Sequence, residues 1–266
     1  MTFTDKGVPD TAHRLFRSLG RKNAYEEVAA EIRKLIFERR LQALHRLPTE
    51  RELAEQFGVG RAVVREAIRT LERAGLLQVK KGPKGGLFVA QDFDRPINDS
   101  IVNLLAGGQA SLEDLFEIRL LIEPYAASRA AELATEEDLA RLEQLLDEAE
   151  SDRNLGASLR VYNIEFHRQI LRMGRNPVLS VMGETVLRIL SDRIHALVSP
   201  ITSEKALAMH KLILAALLKR QARKASSLMA ADIEATGKRL AQLSPETLVR
   251  LARESPTSEH IHLPRA

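Results

Sequence analysis

The sequence predicts a mainly α protein in two parts: three helices with a β-hairpin first, then an all-α bundle of about six to seven helices. Three observations predict it. Apolar residues recur at helical spacing from Asn23 onward, with Gly-, Pro- and Ser-rich breaks between the runs. Strand-like character is confined to "LLQVKKGPKGGLFVA" at 76–90, two β-prone runs around a Gly/Pro turn. The charge is also uneven: residues 1–92 carry 18 Lys and Arg against 12 Asp and Glu, while the remainder carries 22 against 24.

The totals narrow the function classes. A chain of 266 residues with 44% hydrophobic and 29% charged residues has the make-up of a globular protein of one large or two ordinary domains. It contains no Cys and no Trp, which excludes disulfides, thiolate metal ligands and cysteine catalysis. "MTFTDKGVPDTAHRLF" lacks the apolar core of a signal peptide, and no run approaches about 20 apolar residues. A cytoplasmic protein with no membrane span is expected. A basic surplus confined to one end points to a polyanion-binding module joined to a nearly neutral one.

Residues 1–22 show no periodicity and are expected to form a flexible basic arm. From Asn23, Val28, Ile32, Leu35 and Ile36 fall on one helical stripe, and Pro48 follows the loop that ends it. "PTERELAEQFG" carries a capping box: Thr49 can accept from the amide of residue 52, and Glu52 can reach back to the amide of Thr49. Phe57–Gly58 closes this short helix. A third helix begins near Arg61 and stops at Gly75, a candidate left-handed residue. The hairpin follows, and residues 92–96, including Pro96, form the expected linker.

From 97 to 243 the pattern is almost continuously helical. Breaks fall at "AGGQAS", "LATEED", "SDRNLGAS", "GRNP" and "SPITS". Pro124 is expected to kink or interrupt its helix. Residues 244–266 form a tail with room for one short helix.

Arg61, Arg65 and Arg69 recur every fourth residue, within about 80° of one another and roughly 120° from the apolar centre formed by Val64, Ala67, Ile68 and Leu71. The aliphatic stripe packs inward and the arginine row stands clear. One reading is solvated arginines paired with Glu66 and Glu72. The other takes the whole series: a capped helix, the tight "GVG" turn, an Arg-bearing helix and a Gly-rich hairpin with Lys80, Lys81 and Lys84. That is the plan of a winged helix-turn-helix whose third helix enters the DNA major groove, where arginines can grip guanine or clamp phosphates.

"LPTERELAEQFGVGRAVVREAIRTLERAGLLQVKKGPKGGLFV" resembles the DNA-binding domain of GntR-type bacterial transcription regulators. The helical remainder resembles their FadR-like branch with its FCD effector-binding domain. The resemblance spans residue 23 to about residue 243. It implies DNA contacts from Arg51, Arg61, Arg65, Lys81 and Gly82, with Arg69 added by the cationic row. Gly60 departs from the Ser or Thr usual before the recognition arginine, so a capping hydroxyl is absent. The resemblance also implies a homodimer on a two-fold-symmetric operator, with a small carboxylate-containing metabolite as effector and repression as the default mode.

A second constellation lies in the helical part. Asn163 and His167 are four residues apart and share a helix face, His210 lies on a later helix and Asp232 on the last long one. Taken alone, each histidine is a hydrogen-bonded core or boundary residue. FCD domains of the metal-binding type, however, place an Asp and a His at that spacing, a His later, and a third His about 22 residues on. Here Asn163 replaces the Asp and Asp232 stands where the third His is expected. The resemblance thus implies a Zn²⁺, Ni²⁺ or Mn²⁺ site at Asn163, His167, His210 and Asp232. It also implies an effector grip at Arg119, with Arg188 and Arg193 as further candidates. An intrahelical pair of Arg119 with Glu123 is the plain alternative. A metal-dependent enzyme using His167, His210 and Asp232 is the rival function, but it leaves residues 23–90 without a role. A constitutive architectural DNA-binding protein would leave the helical part without one.

Overall fold

The computed structural model describes residues 24–83, 85–91, 93–151, 155–194, 200–240 and 246. The expected arm, Lys84 and all of the tail but residue 246, with the room it offers for a short helix, lie outside the described residues. The chain folds as two units, with the boundary between Phe93 and Asp94.

The first unit holds α1 (Ala24–Phe37), α2 (Glu50–Phe57), α3 (Arg61–Arg73), β1 (Leu77–Lys80) and β2 (Gly86–Val89). In α1, Val28, Ile32 and Ile36 are buried and Leu35 is half-buried, as the stripe requires. α2 starts at Thr49 with both capping-box bonds formed, and Gly58 ends it at φ 65° with its amide turned back to Ala54. Val64, Ala67, Ile68 and Leu71 of α3 are buried against this frame. Gly75 follows the helix at φ 73°, the left-handed conformation expected of it. The core they form with Leu53, Leu77 and Val89 joins helices and hairpin in one apolar cluster. Truncating a fully buried member such as Leu71 to Ala would destabilise the unit by about 2–5 kcal/mol.

The hairpin carries a feature that periodicity does not reveal. β1 and β2 pair antiparallel, Leu77 opposite Val89 and Lys80 opposite Gly86. Residues 44–47 then line the free edge of β2: the amide of Leu47 donates to the Leu87 carbonyl, and the His45 carbonyl accepts from the amide of Val89 at 2.9 Å. The loop after α1 is therefore a third, edge-pairing segment. It is too short and too polar to alternate visibly, and only its tertiary partner makes it extended.

The second unit is helical throughout its described residues: α4 (Arg95–Ala106), α5 (Leu112–Leu133), α6 (Glu136–Ser151), α7 (Leu155–Met173), α8 (Pro177–Ile194), α9 (Pro200–Leu218) and α10 (Ala222–Leu240). α4 begins inside the expected linker, because Pro96 occupies its first turn, where a missing amide donor is harmless. α5 runs unbroken through Pro124. Its Ala126, Ala127, Ala130 and Ala131 are fully buried, and these small side chains let α7, α8, α9 and α10 pack around it. Burial of that face holds the helix together across the one hydrogen bond the proline removes. Ser111 and Asp114 form a second capping box at its start.

Candidate functional site

The first unit presents a cationic face. Arg61 opens α3 and is exposed, following Gly60, which supplies no side-chain cap. Arg65 and Arg69 are also exposed on the same helix. Among the described residues Arg65 has no partner on its own helix. Glu50 of α2 takes it instead, with Arg65 Nε at 3.1 and 3.3 Å from the two carboxylate oxygens and Nη2 at 2.9 Å. Arg69 has a long contact to Glu66 at 3.8 Å, and Arg51 an i,i+4 pair with Glu55 at 2.8 Å. Lys81 and Gly82 are exposed at the hairpin turn, where Gly82 adopts φ 101°. Arg46 braces that turn by donating from Nη2 to the Gly85 carbonyl at 3.1 Å. The sequence reading missed Glu50 and Arg46. Nothing in spacing ties residue 50 to residue 65, or residue 46 to the hairpin.

The second unit buries a polar cluster. His167 on α7, His210 on α9 and Asp232 on α10 bring donor atoms within 4.8 Å of one another. His167 Nε2 is 3.3 Å and His210 Nε2 3.7 Å from Asp232 Oδ2. Behind them, His167 Nδ1 lies 2.6 Å from Glu123 Oε2, and Glu123 also accepts from Arg119 Nε at 2.6 Å. Phe166 stacks on the His210 ring, centroids 3.9 Å apart and planes 10° apart, fixing that imidazole from one side.

The charges follow from this layout. Burial pushes the Glu123 carboxyl up, but the Arg119 guanidinium and His167 outweigh it and leave it lowered to about 2. Burial likewise opposes ionisation of Asp232, yet the facing imidazoles of His167 and His210 hold it well below the usual carboxylate range. Burial lowers His167, but Glu123 and Asp232 prevail and raise it. For His210 burial wins, and the imidazole stays below its ordinary pKa.

The donor set fits a divalent metal. His210 Nε2 is buried, 3.7 Å from Asp232 Oδ2 and without a hydrogen-bond partner among the described residues, a cost that a bound ion would remove. Glu123 takes the Nδ1 side of His167, the outer-sphere arrangement that frees Nε2 for an ion. Asn163 is half-buried one turn before His167 on the same helix. Arg119 is 4% exposed and committed to Glu123, the plain alternative of the sequence reading. Arg188 pairs with Asp94 at 2.7 Å and reaches Asn98 of α4 at 3.4 Å, neither of which belongs to the cluster. The side chain of Arg193 lies outside the described residues. Glu123 entered the sequence reading only as a possible partner of Arg119, although the same i,i+4 spacing that suggested the pair also places it on the buried face.

Comparison with known proteins agrees with both units. Residues 24–89 match the bacterial regulatory proteins of the gntR family, and residues 114–235 match the FCD domain. The chain is 33% identical over 198 residues to the HTH-type transcriptional repressor NanR of Cronobacter sakazakii, covering 69% of this chain and 73% of that one. It is 32% identical over 228 residues to the Uxu operon transcriptional regulator of Escherichia coli (strain K12), covering 83% and 88%. Among solved structures, Streptococcus agalactiae GntR superposes with a TM-score of 0.61 at 27% identity, over 80% of this chain and 99% of that one. Among the described residues no helix is long and apolar enough to cross a membrane. With a capped helix, an outward arginine helix and a glycine-tipped hairpin in one unit and an FCD bundle in the other, the chain belongs to the GntR family and is a DNA-binding transcription regulator, not an enzyme.

Proposed function

We propose that this regulator is a cytoplasmic repressor that binds a palindromic operator as a homodimer and is controlled by a small organic acid bound in its helical unit. The NanR relative carries the name repressor and the Uxu relative that of an operon regulator, which supports this mode. Paired recognition helices require paired half-sites, so the operator is two-fold symmetric. Arg51, Arg61, Arg65, Arg69, Lys81 and Gly82 supply the DNA contacts.

The single observation that carries the control site is the convergence of His167, His210 and Asp232 around an unpartnered imidazole nitrogen. These residues, with the Asn163 amide oxygen, would hold Zn²⁺, Ni²⁺ or Mn²⁺. A bound ion would supply open coordination positions for a carboxylate. Arg119 keeps donors on the guanidinium edge not used by Glu123, and Arg188 and Arg193 are further cations for an anionic effector. Control follows only if the effector binds the DNA-competent and DNA-incompetent arrangements with different affinity.

The test is a thermal-shift screen of organic and sugar acids on metal-loaded and chelator-treated protein, followed by titration of the hits into an operator complex. A stabilising acid that needs the metal and releases DNA is expected. An acid that releases DNA equally well from a His167→Ala/His210→Ala variant would overturn the placement of the effector at this cluster.

A further inference from the structure

An arginine can offer two parallel donors in two ways: along its side, through Nε and Nη2, or at its end, through Nη1 and Nη2. Glu50 occupies the side edge of Arg65, with one oxygen accepting from both Nε and Nη2. Among the described residues nothing takes the end edge, and 51% of the side chain remains exposed. Glu50 is itself fixed. It is the first residue of α2, directly after a Thr49 cap whose reciprocal bonds to Glu52 lock that turn. The pair therefore spans two helices of the motif, whereas the pairs of Arg51 and Arg69 are made within their own helices.

A carboxylate in this position is out of place if Arg65 serves only a phosphate. It would cancel part of the cation and bring a negative charge toward the DNA backbone, with no gain in sequence information, which phosphate contacts do not carry. Orientation matters for a base edge. Guanine shows two acceptors, O6 and N7, matched to the free end edge, whereas adenine shows a donor beside its N7.

We infer that Glu50 is a positioning residue that aims Arg65 at a guanine in the operator major groove, making residue 50 a determinant of sequence preference. This rests on the operator reading above. It separates two properties that an arginine-only view merges: Arg65 supplies the contact, and Glu50 supplies its selectivity.

The test compares the full-length wild-type protein with Glu50→Gln, Arg65→Lys and Arg61→Ala on a randomised duplex library, with thermal melts of each variant alongside. Glu50→Gln and Arg65→Lys are expected to relax the same guanine position in each half-site, by roughly 10-fold in preference. All other positions should remain as in wild type, and Arg61→Ala should not reproduce the pattern. Affinity of Glu50→Gln for random DNA should hold or rise, since a negative charge has gone. A Glu50→Gln preference superimposable on wild type would overturn the proposal. So would a uniform loss of affinity with a lowered melting temperature, which marks a purely structural pair. A wild-type protein with no preference at all would sink the operator reading itself and this proposal with it.

Discussion

Glu123 holds Arg119 Nε at 2.6 Å through Oε1 and His167 Nδ1 at 2.6 Å through Oε2, and all three side chains are buried. One carboxylate thereby neutralises a buried guanidinium and sets which ring nitrogen of His167 faces Asp232. The arrangement ties an intrahelical pair of α5 to the cluster built from α7, α9 and α10. Each of these groups would be unfavourable in the core without the others.

Removing one partner should therefore be severe. Arg119→Ala is expected to destabilise the helical unit by about 3–5 kcal/mol, because it leaves Glu123 buried with only His167 to balance it. Arg119→Lys should recover part of the loss, since an ammonium keeps the charge but lacks the fork. Urea unfolding at neutral pH measures both. A midpoint unchanged in Arg119→Ala would show that the pair does not hold the cluster.

Metal uptake gives a second expectation. Adding Zn²⁺, Ni²⁺ or Mn²⁺ to chelator-treated protein should raise its unfolding temperature, with about 2.7 kcal/mol of stabilisation at a free metal concentration 100-fold above Kd. Elemental analysis should find the metal in wild type and lose it in His167→Ala/His210→Ala. Asn163→Asp should tighten binding, because a carboxylate is the stronger donor. Equal metal content in wild type and double variant would defeat the ligand assignment.

The hairpin turn admits no side chain at residue 85. A Cβ there would lie 2.4 Å from the Lys80 carbonyl oxygen and 2.7 Å from that of Gly82, both backbone atoms. Gly85→Ala should distort the turn, at about 1–3 kcal/mol, and weaken DNA binding through displacement of Lys81. Heteronuclear NMR of the turn amides with a DNA titration checks both effects. Wild-type shifts and wild-type affinity in Gly85→Ala would contradict the close packing.

The cap of α2 makes the first unit sensitive to acid. Backbone and side-chain bonds from Thr49 lower the pKa of Glu52 below its ordinary 4.5. A carboxylate lowered on folding stabilises fully above the unfolded value, and the contribution is lost as pH falls through the folded one. Thermal melts should show this loss below pH 4.5, and Glu52→Gln should flatten that portion of the profile. A variant with the same acid dependence as wild type would remove Glu52 from the cause.

Much of this was legible in the amino-acid order because it is local. The Thr49–Glu52 box, the left-handed Gly58 and Gly75, the inward stripe of Val64, Ala67, Ile68 and Leu71 and the hairpin all depend on neighbours within a few residues. Periodicity and turn chemistry register such neighbours directly. Of the two outcomes Pro124 allows, a kink or a break, the break does not occur, because the fully buried alanine face of α5 keeps the helix unbroken.

What only the tertiary structure decided are pairings across long stretches of chain. The edge segment 44–47 on β2, Glu50 on Arg65 and the meeting of His167, His210 and Asp232 belong to this class. The sequence suggested the last through family spacing, but it could not show Glu123 and Phe166 completing the cluster, nor Arg119 committed to Glu123. The physical reason is that spacing along a helix determines which face a side chain occupies, while packing between helices determines what that face meets.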